Sequence, residues 1–266
     1  MLVAGIDTET TGLDKTKDRI IEIAVAIFDD SDWEVKEKFD ALIYDPTIPP
    51  LRDEIKNITK ISDEDLCTKG IPLAQALGTI SITVKDCSYF LAHNKNFDKD
   101  FFNAEVDRTT LRDCGSLEFQ QMLQKPWICS AEDVPHPKNF KSWKLQHLAV
   151  DHGVMVDPSK QHRALADVLL MGKMMAAGGF KVQDIVDNMN EPWVYLKASI
   201  PAPWDDGGKG KTAAQARGYK WEKFYHTDPQ NFPKTWVKKV KQKEVESERA
   251  EAPFPVLELK IKEETV

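Results

Sequence analysis

Cysteine is scarce in this chain. The four present, Cys67, Cys87, Cys114 and Cys129, show no Cys-x-x-Cys spacing. That removes zinc-ribbon and dithiol motifs and leaves reduced core residues as the reading, not disulfides. Long apolar runs are also missing. No stretch reaches the roughly 18 apolar residues of a membrane span, so no membrane is expected. The first apolar strand begins at residue 2, which leaves no room for a signal peptide and points to the cytoplasm. No internal repeat occurs. Positive charge is short overall: 36 Lys+Arg stand against 43 Asp+Glu, a net −7. Taken as an average, that argues against a polyanionic partner.

The average conceals an asymmetry. Residues 1–178 hold 21 Lys+Arg and 29 Asp+Glu, whereas 207–243 hold 10 and 2. The second stretch is therefore locally basic. With 41% apolar residues in a chain of 266, there is material for one domain of about 180 residues and a small second module.

Three acidic segments stand out. Apolar residues open the chain, as in a strand buried on both faces, and Asp7 follows where that strand is expected to end. Side chains alternate along extended backbone, so Asp7 and Glu9 share a side. Two neighbouring carboxylates repel and raise each other's pKa. A divalent cation resolves the conflict, and hard oxygen ligands suit Mg²⁺ or Mn²⁺. Asp98 closes a second apolar stretch, Leu91–Asp98, in which Asn94 is suited to pin a loop and Phe97 to enter the core. By itself Asp98 would pass as a helix cap. In the third segment Leu165, Leu169, Met171 and Met175 predict a helix over 165–175, with Asp167 in its first turns. His162 precedes Asp167 by five residues, about 140° away on a continuous helix. The two meet only if His162 lies on the loop before the helix.

Together the segments read Asp-x-Glu, His-Asn-x-x-Phe-Asp and His-x-Ala-x-x-Asp, in that order. This resembles the DEDDh branch of the DnaQ-like 3′–5′ exonucleases. Asn57–Leu66 and Trp127–Ser130 resemble two further family stretches, with Lys60 where glycine is usual. The resemblance covers residues 1 to about 178. It implies an RNase H-like fold and two ions about 4 Å apart flanking an in-line displacement. It also implies roles. Asp7, Glu9 and Asp167 would hold the water-activating ion, and Asp7 would bridge to a second ion near Asp98. His162 would be the general base, a task suited to histidine. Thr8, Thr10, Gly12 and Leu13 match positions that grip the terminal nucleotide, with Leu13 as wedge beside the last base. Asn94 joins the substrate-binding set.

The remaining pattern predicts a mixed five-stranded sheet flanked by helices. Strands are expected at 2–6, 20–29, 33–44, 89–93 and 127–130, and helices at 72–85, after Asp98 and at 142–152, the last closed by Gly153. The expected division is an exonuclease domain at 1–178, a helix and linker at 179–204 around Pro192, Pro201 and Pro203, and a basic aromatic-rich module at 205–266. That module bears a short resemblance to one appended to exodeoxyribonuclease X-like enzymes. A helix at 213–217, strands at 219–221, 235–240 and 256–261, and a helical or disordered 244–252 are expected. Aromatic platforms with Lys/Arg grooves hold single strands, so Arg217, Tyr219, Trp221 and Lys238 are its candidate nucleic-acid contacts. A small aromatic-cored domain with a solvated basic face is the plainer reading.

The expected function is a metal-dependent 3′–5′ exonuclease, with DNA preferred over RNA, releasing 5′-mononucleotides. The rivals are an exoribonuclease of the same family and a non-catalytic interaction protein on this fold. The partner is nucleic acid with a 3′ end. A homodimer or a polymerase or replication partner is left open.

Overall fold

A computed structural model describes residues 1–108, 116–136, 142–157, 162–223 and 234–259. They fall into two compact units, Met1–Asn188 and Met189–Val266.

The first unit is built on a five-stranded mixed sheet. Its strands are β1 (Leu2–Thr10), β2 (Ile20–Asp29), β3 (Val35–Leu42), β4 (Tyr89–Ala92) and β5 (Trp127–Cys129). They are ordered β3-β2-β1-β4-β5. β1 runs antiparallel to β2 and parallel to β4. Strand β2 reads Ile-Ile-Glu-Ile-Ala-Val-Ala-Ile-Phe and is buried through Phe28. Only helices on both faces of the sheet can account for that. One face carries Ala4, Ile6, Ile23, Val25 and Ile27, in a core with Leu77, Phe90, Phe101 and Phe102. Leu77 comes from α3 (Leu73–Thr83), Phe101 and Phe102 from α4 (Lys95–Arg108), and Phe90 from β4 itself. The other face receives α7 (Ala164–Ala177), which packs on β1 and β2. Gly172 permits that approach, because a Cβ there would run into the Phe28 ring.

Several expectations are corrected. β1 does not stop before Asp7 but pairs with β2 as far as Thr10, with an irregularity after Glu9. Pairing in a central strand overrides the poor strand propensity of two acids. In α7 the expected Met171 and Met175 are buried, together with Ala164, Val168, Gly172 and Met174, while Leu165 and Leu169 are only half-buried. The helix at 142–152 narrows to α6 (Leu145–Asp151), and Gly153 follows at φ +79°. Phe97 is half-buried against the core. Cys87 and Cys129 are buried, Cys67 is exposed, and Cys114 lies outside the described residues. Helices α1 (Asp53–Thr59), α2 (Asp63–Lys69) and α5 (Ser116–Leu123) were not anticipated.

The expected linker is also redrawn. α8 (Val182–Asn190) is tied to the first unit: Val182 N–H donates to Asp30, and Asn188 Nδ2 donates to the Asp133 carbonyl at 2.8 Å. Beyond it, Trp193–Ala198 is no linker but β6, an inner strand of a second sheet. That sheet is ordered β7-β8-β6-β9, with β7 (Lys220–Lys223), β8 (Lys234–Lys241) and β9 (Val256–Leu259). The flanking prolines bracket the strand without entering it. Leu196, Ala198, Trp236, Val240 and Val256 form a core with Ala214 of α9 (Lys209–Ala216) and Val245 of α10 (Val245–Glu251). Residues 260–261 of the expected last strand lie outside the described residues.

Candidate active site

Asp7 and Glu9 project from β1 on the face covered by α7, the face shared with their cross-strand partners Ala24 and Glu22. Asp167 comes from the first turn of α7. His162 lies on the loop before it, in the left-handed region at φ +59°. That conformation is uncommon outside glycine, and it resolves the angular conflict between His162 and Asp167. Ligand atoms of Glu9, His162 and Asp167 lie within 4.8 Å of one another. Asp7 is not in that group, although its charge interacts with Glu9, Asp98 and Asp167.

Asp98 reaches the same centre from the opposite face. It lies in the first turn of α4, 1% exposed, and accepts a hydrogen bond from Thr8 Oγ1 at 2.8 Å. Asn94, at φ +63°, starts that helix by offering its carbonyl to Phe97 N–H.

The electrostatics are those of crowded acids with little counter-charge. Burial, and then Asp98, Glu9 and Asp167, push the Asp7 carboxyl well above its usual range. Glu9 is raised to about 8 by burial, by Glu22 and by Asp167, with Arg163 opposing. Asp98 is raised to about 7 by burial, and the Thr8 hydrogen bond pulls it back. Asp167 is raised by burial and held down by His162, whose backbone N–H it accepts. A divalent cation fits this donor set. It would supply the positive charge that burial and repulsion withhold.

The predicted nucleotide-gripping residues occupy the adjoining loop. Thr10 donates its hydroxyl to the Gly12 carbonyl at 2.5 Å. Asp18 accepts from Thr11 Oγ1 and from Asp14 N–H. Leu13 is left at the tip, 85% exposed. The hydroxyl hydrogens of Thr8 and Thr10 are thus committed within the protein, which leaves backbone groups and the Leu13 side chain facing outward.

Two residues, Glu22 and Arg163, escaped sequence reasoning. Glu22 is 2% exposed, and it accepts from Arg163 Nη2 at 2.6 Å, from Arg163 Nε at 3.1 Å and from Ala164 N–H at 3.0 Å. A charged residue inside an otherwise apolar strand was the available signal.

The four module residues expected to touch nucleic acid are placed elsewhere. Tyr219 is 2% exposed in the second core. Arg217 and Lys238 both pair with Glu248. Trp221 is half-buried against Trp204 and Trp236. Strand alternation explains Lys238: it shares a face with Trp236 and Val240.

The family model described as Exonuclease matches residues 4–175. The chain belongs to the exonuclease family. Within that family it is DnaQ-like, and exonucleases of this kind act 3′–5′ and use divalent metal ions. The exonuclease is 33% identical over 165 residues to a DNA polymerase III subunit epsilon of Treponema pallidum, covering 60% of this chain and 68% of that one. Other curated relatives are much longer, and it spans 11–13% of their length. Among solved structures, the E. coli ExoI–ssDNA complex matches 70% of the exonuclease and 42% of its own chain, at 19% identity and TM-score 0.52. The nuclease domain of 3′hExo, a DEDDh family member bound to rAMP, matches 66% and 90%, at 17% identity and the same TM-score of 0.52. These structures share the fold. Among the described residues no helix is long and apolar enough to cross a membrane.

Proposed function

We propose that the exonuclease hydrolyses DNA from its 3′ end, dependent on two Mg²⁺ or Mn²⁺ ions, and releases 5′-mononucleotides. The convergence of Glu9, His162 and Asp167 with Asp7 and Asp98 carries this reading. Asp7, Glu9, Asp98 and Asp167 would hold the ions. Bound divalent ions supply charge neutralisation at the scissile phosphate and lower the cost of deprotonating water. His162, exposed at the edge of the cluster, takes the proton of the attacking water on a ring nitrogen. The loop at 10–13 receives the terminal nucleotide, Leu13 lies beside its base, and Asn94 lines the approach. The curated relatives, named as chains of DNA polymerase III, favour DNA over RNA.

Matched labelled DNA and RNA strands, with single- and double-stranded 3′ ends, test the substrate. DNA should be degraded faster, EDTA should stop turnover and Mg²⁺ or Mn²⁺ should restore it. Preferential RNA degradation would instead establish the exoribonuclease. Asp7→Ala and Asp167→Ala should each remove nearly all activity while the protein stays folded. Substantial turnover by either variant would refute the metal assignment.

The second unit is proposed to hold single-stranded nucleic acid on the sheet face away from its core. Strand register places Trp193, Tyr195, Lys197, Lys220 and Lys239 on that face, beside Val237 and Lys241, which are buried, Lys241 donating to the Glu191 carbonyl. Lys239 and Lys241 lie over the Trp193 ring at 4.6 and 4.1 Å.

A further inference from the structure

We infer that Glu22 and Arg163 form a positioning pair for His162. The inference rests on the reading of His162 as general base. His162 occupies a left-handed backbone conformation on an exposed loop, so the place of its ring depends on what fixes the backbone beside it. The two residues that follow are both tied to one carboxylate. Arg163 grips Glu22 through Nε and Nη2, and the Ala164 N–H binds Glu22 Oε2. Three donors from consecutive residues thereby set the direction in which the chain leaves His162 and enters α7.

The anchor is not an arbitrary one. Glu22 is the cross-strand partner of Glu9, and its side chain is almost wholly buried. The carboxylate that holds the base therefore belongs to the same strand pair that carries the cluster's own acid. Glu9 and His162 are registered to each other through β1, β2 and the Glu22–Arg163 pair. A misplacement of about 1 Å at a reacting group can cost on the order of 100-fold in rate, so this indirect connection has a kinetic consequence. The Ala164 N–H is one of the unpaired donors at the start of α7, and Glu22 serves it as a side-chain cap would. A surface ion pair made only for stability would not need to hold the helix start as well.

The test is a double-mutant cycle on the full chain. Arg163→Ala is preferred as the first variant, since the Arg163 side chain is 43% exposed and its removal should leave a folded protein. It should lower kcat by about 10- to 100-fold with KM changed less than about twofold. Mn²⁺ affinity, measured by calorimetry without substrate, should stay within about threefold. Arg163→Lys, which keeps the charge and loses the fork, should recover part of kcat. In a His162→Ala background, Arg163→Ala should cost less than about twofold more, because there is no base left to misplace. Glu22→Gln, which loosens the same pair, should lower kcat likewise without weakening Mn²⁺ binding, and if it fails to fold the Arg163 variants decide. The inference is overturned if the Arg163→Ala loss is equally large without His162, if kcat does not fall, or if the loss follows Mn²⁺ affinity. Should His162→Ala alone retain the full rate, the base assignment itself is wrong. A slow His162→Ala on which the losses multiply removes only the positioning role.

Discussion

A carboxyl group with its pKa raised to about 8 is protonated through much of the neutral range, and Glu9 is in that state. Its folded pKa lies above the ordinary 4.5, so the metal-free folded chain binds more protons than the unfolded one. The associated stability is present below about pH 4.5 and is lost as pH rises towards about 8. Glu9→Gln should therefore stabilise the metal-free protein at about pH 8 by about 4 kcal/mol, or on the order of ten degrees in Tm, and abolish activity. Near pH 4.5 the difference should vanish. Melting curves at the two pH values check this, and identical increments at both would contradict it. Thr8 acts in the opposite direction on Asp98, holding that pKa down. Thr8→Val should shift the acid limb of the rate–pH profile upward, and an unmoved limb would show that Asp98 does not limit activity there. The five motif residues were legible because their spacing repeats a family pattern. Glu22 was not, because a lone acid in an apolar run offers no hint of its partner 141 residues away. Lys238 misled for the converse reason: it was read by charge, although its alternation with Trp236 and Val240 already assigned it to the core side.

Among the elements, α7 makes one notably close approach to the sheet. Phe28 of β2 fills the space beneath Gly172, and the same ring approaches Gly5 of β1. Gly172→Leu should destabilise the first unit by about 1–3 kcal/mol, as overpacked sites do. Because α7 carries Asp167 and is anchored beside His162, turnover should fall further than the loss of folded protein explains. Denaturant titration alongside specific activity separates the two, and a proportional decline would mean the helix is not displaced. The element order of the sheet was readable from apolar runs and turn residues. The inner position of β6 was not, since Pro192, Pro201 and Pro203 surround it and its partners lie far downstream.

For the whole molecule, the proposed division of labour predicts separable defects. Removing the residues after Asn188 should leave dinucleotide cleavage unchanged and weaken binding to a long single strand. Each phosphate that is no longer neutralised by a lysine should reduce the slope of log K against log salt by about 0.7. Lys220→Glu with Lys239→Glu should reproduce that weakening in the full chain, whereas equal salt slopes for all forms would refute the clamp.

The order in which the second sheet is strung along the chain has a bearing on its biosynthesis. β6 is the first of its strands to leave the ribosome, yet both of its hydrogen-bonding neighbours, β8 and β9, are made later. Until Lys234 has been added, Trp193–Ala198 has two unsatisfied edges and an aromatic side chain at every second position of its start. A message broken between these points would yield an intact first unit trailing an adhesive strand, the kind of edge that recruits other chains into aggregates. Frameshifts and premature stops over roughly that interval should thus be more toxic than a stop at the end of α8, even though they delete less of the protein.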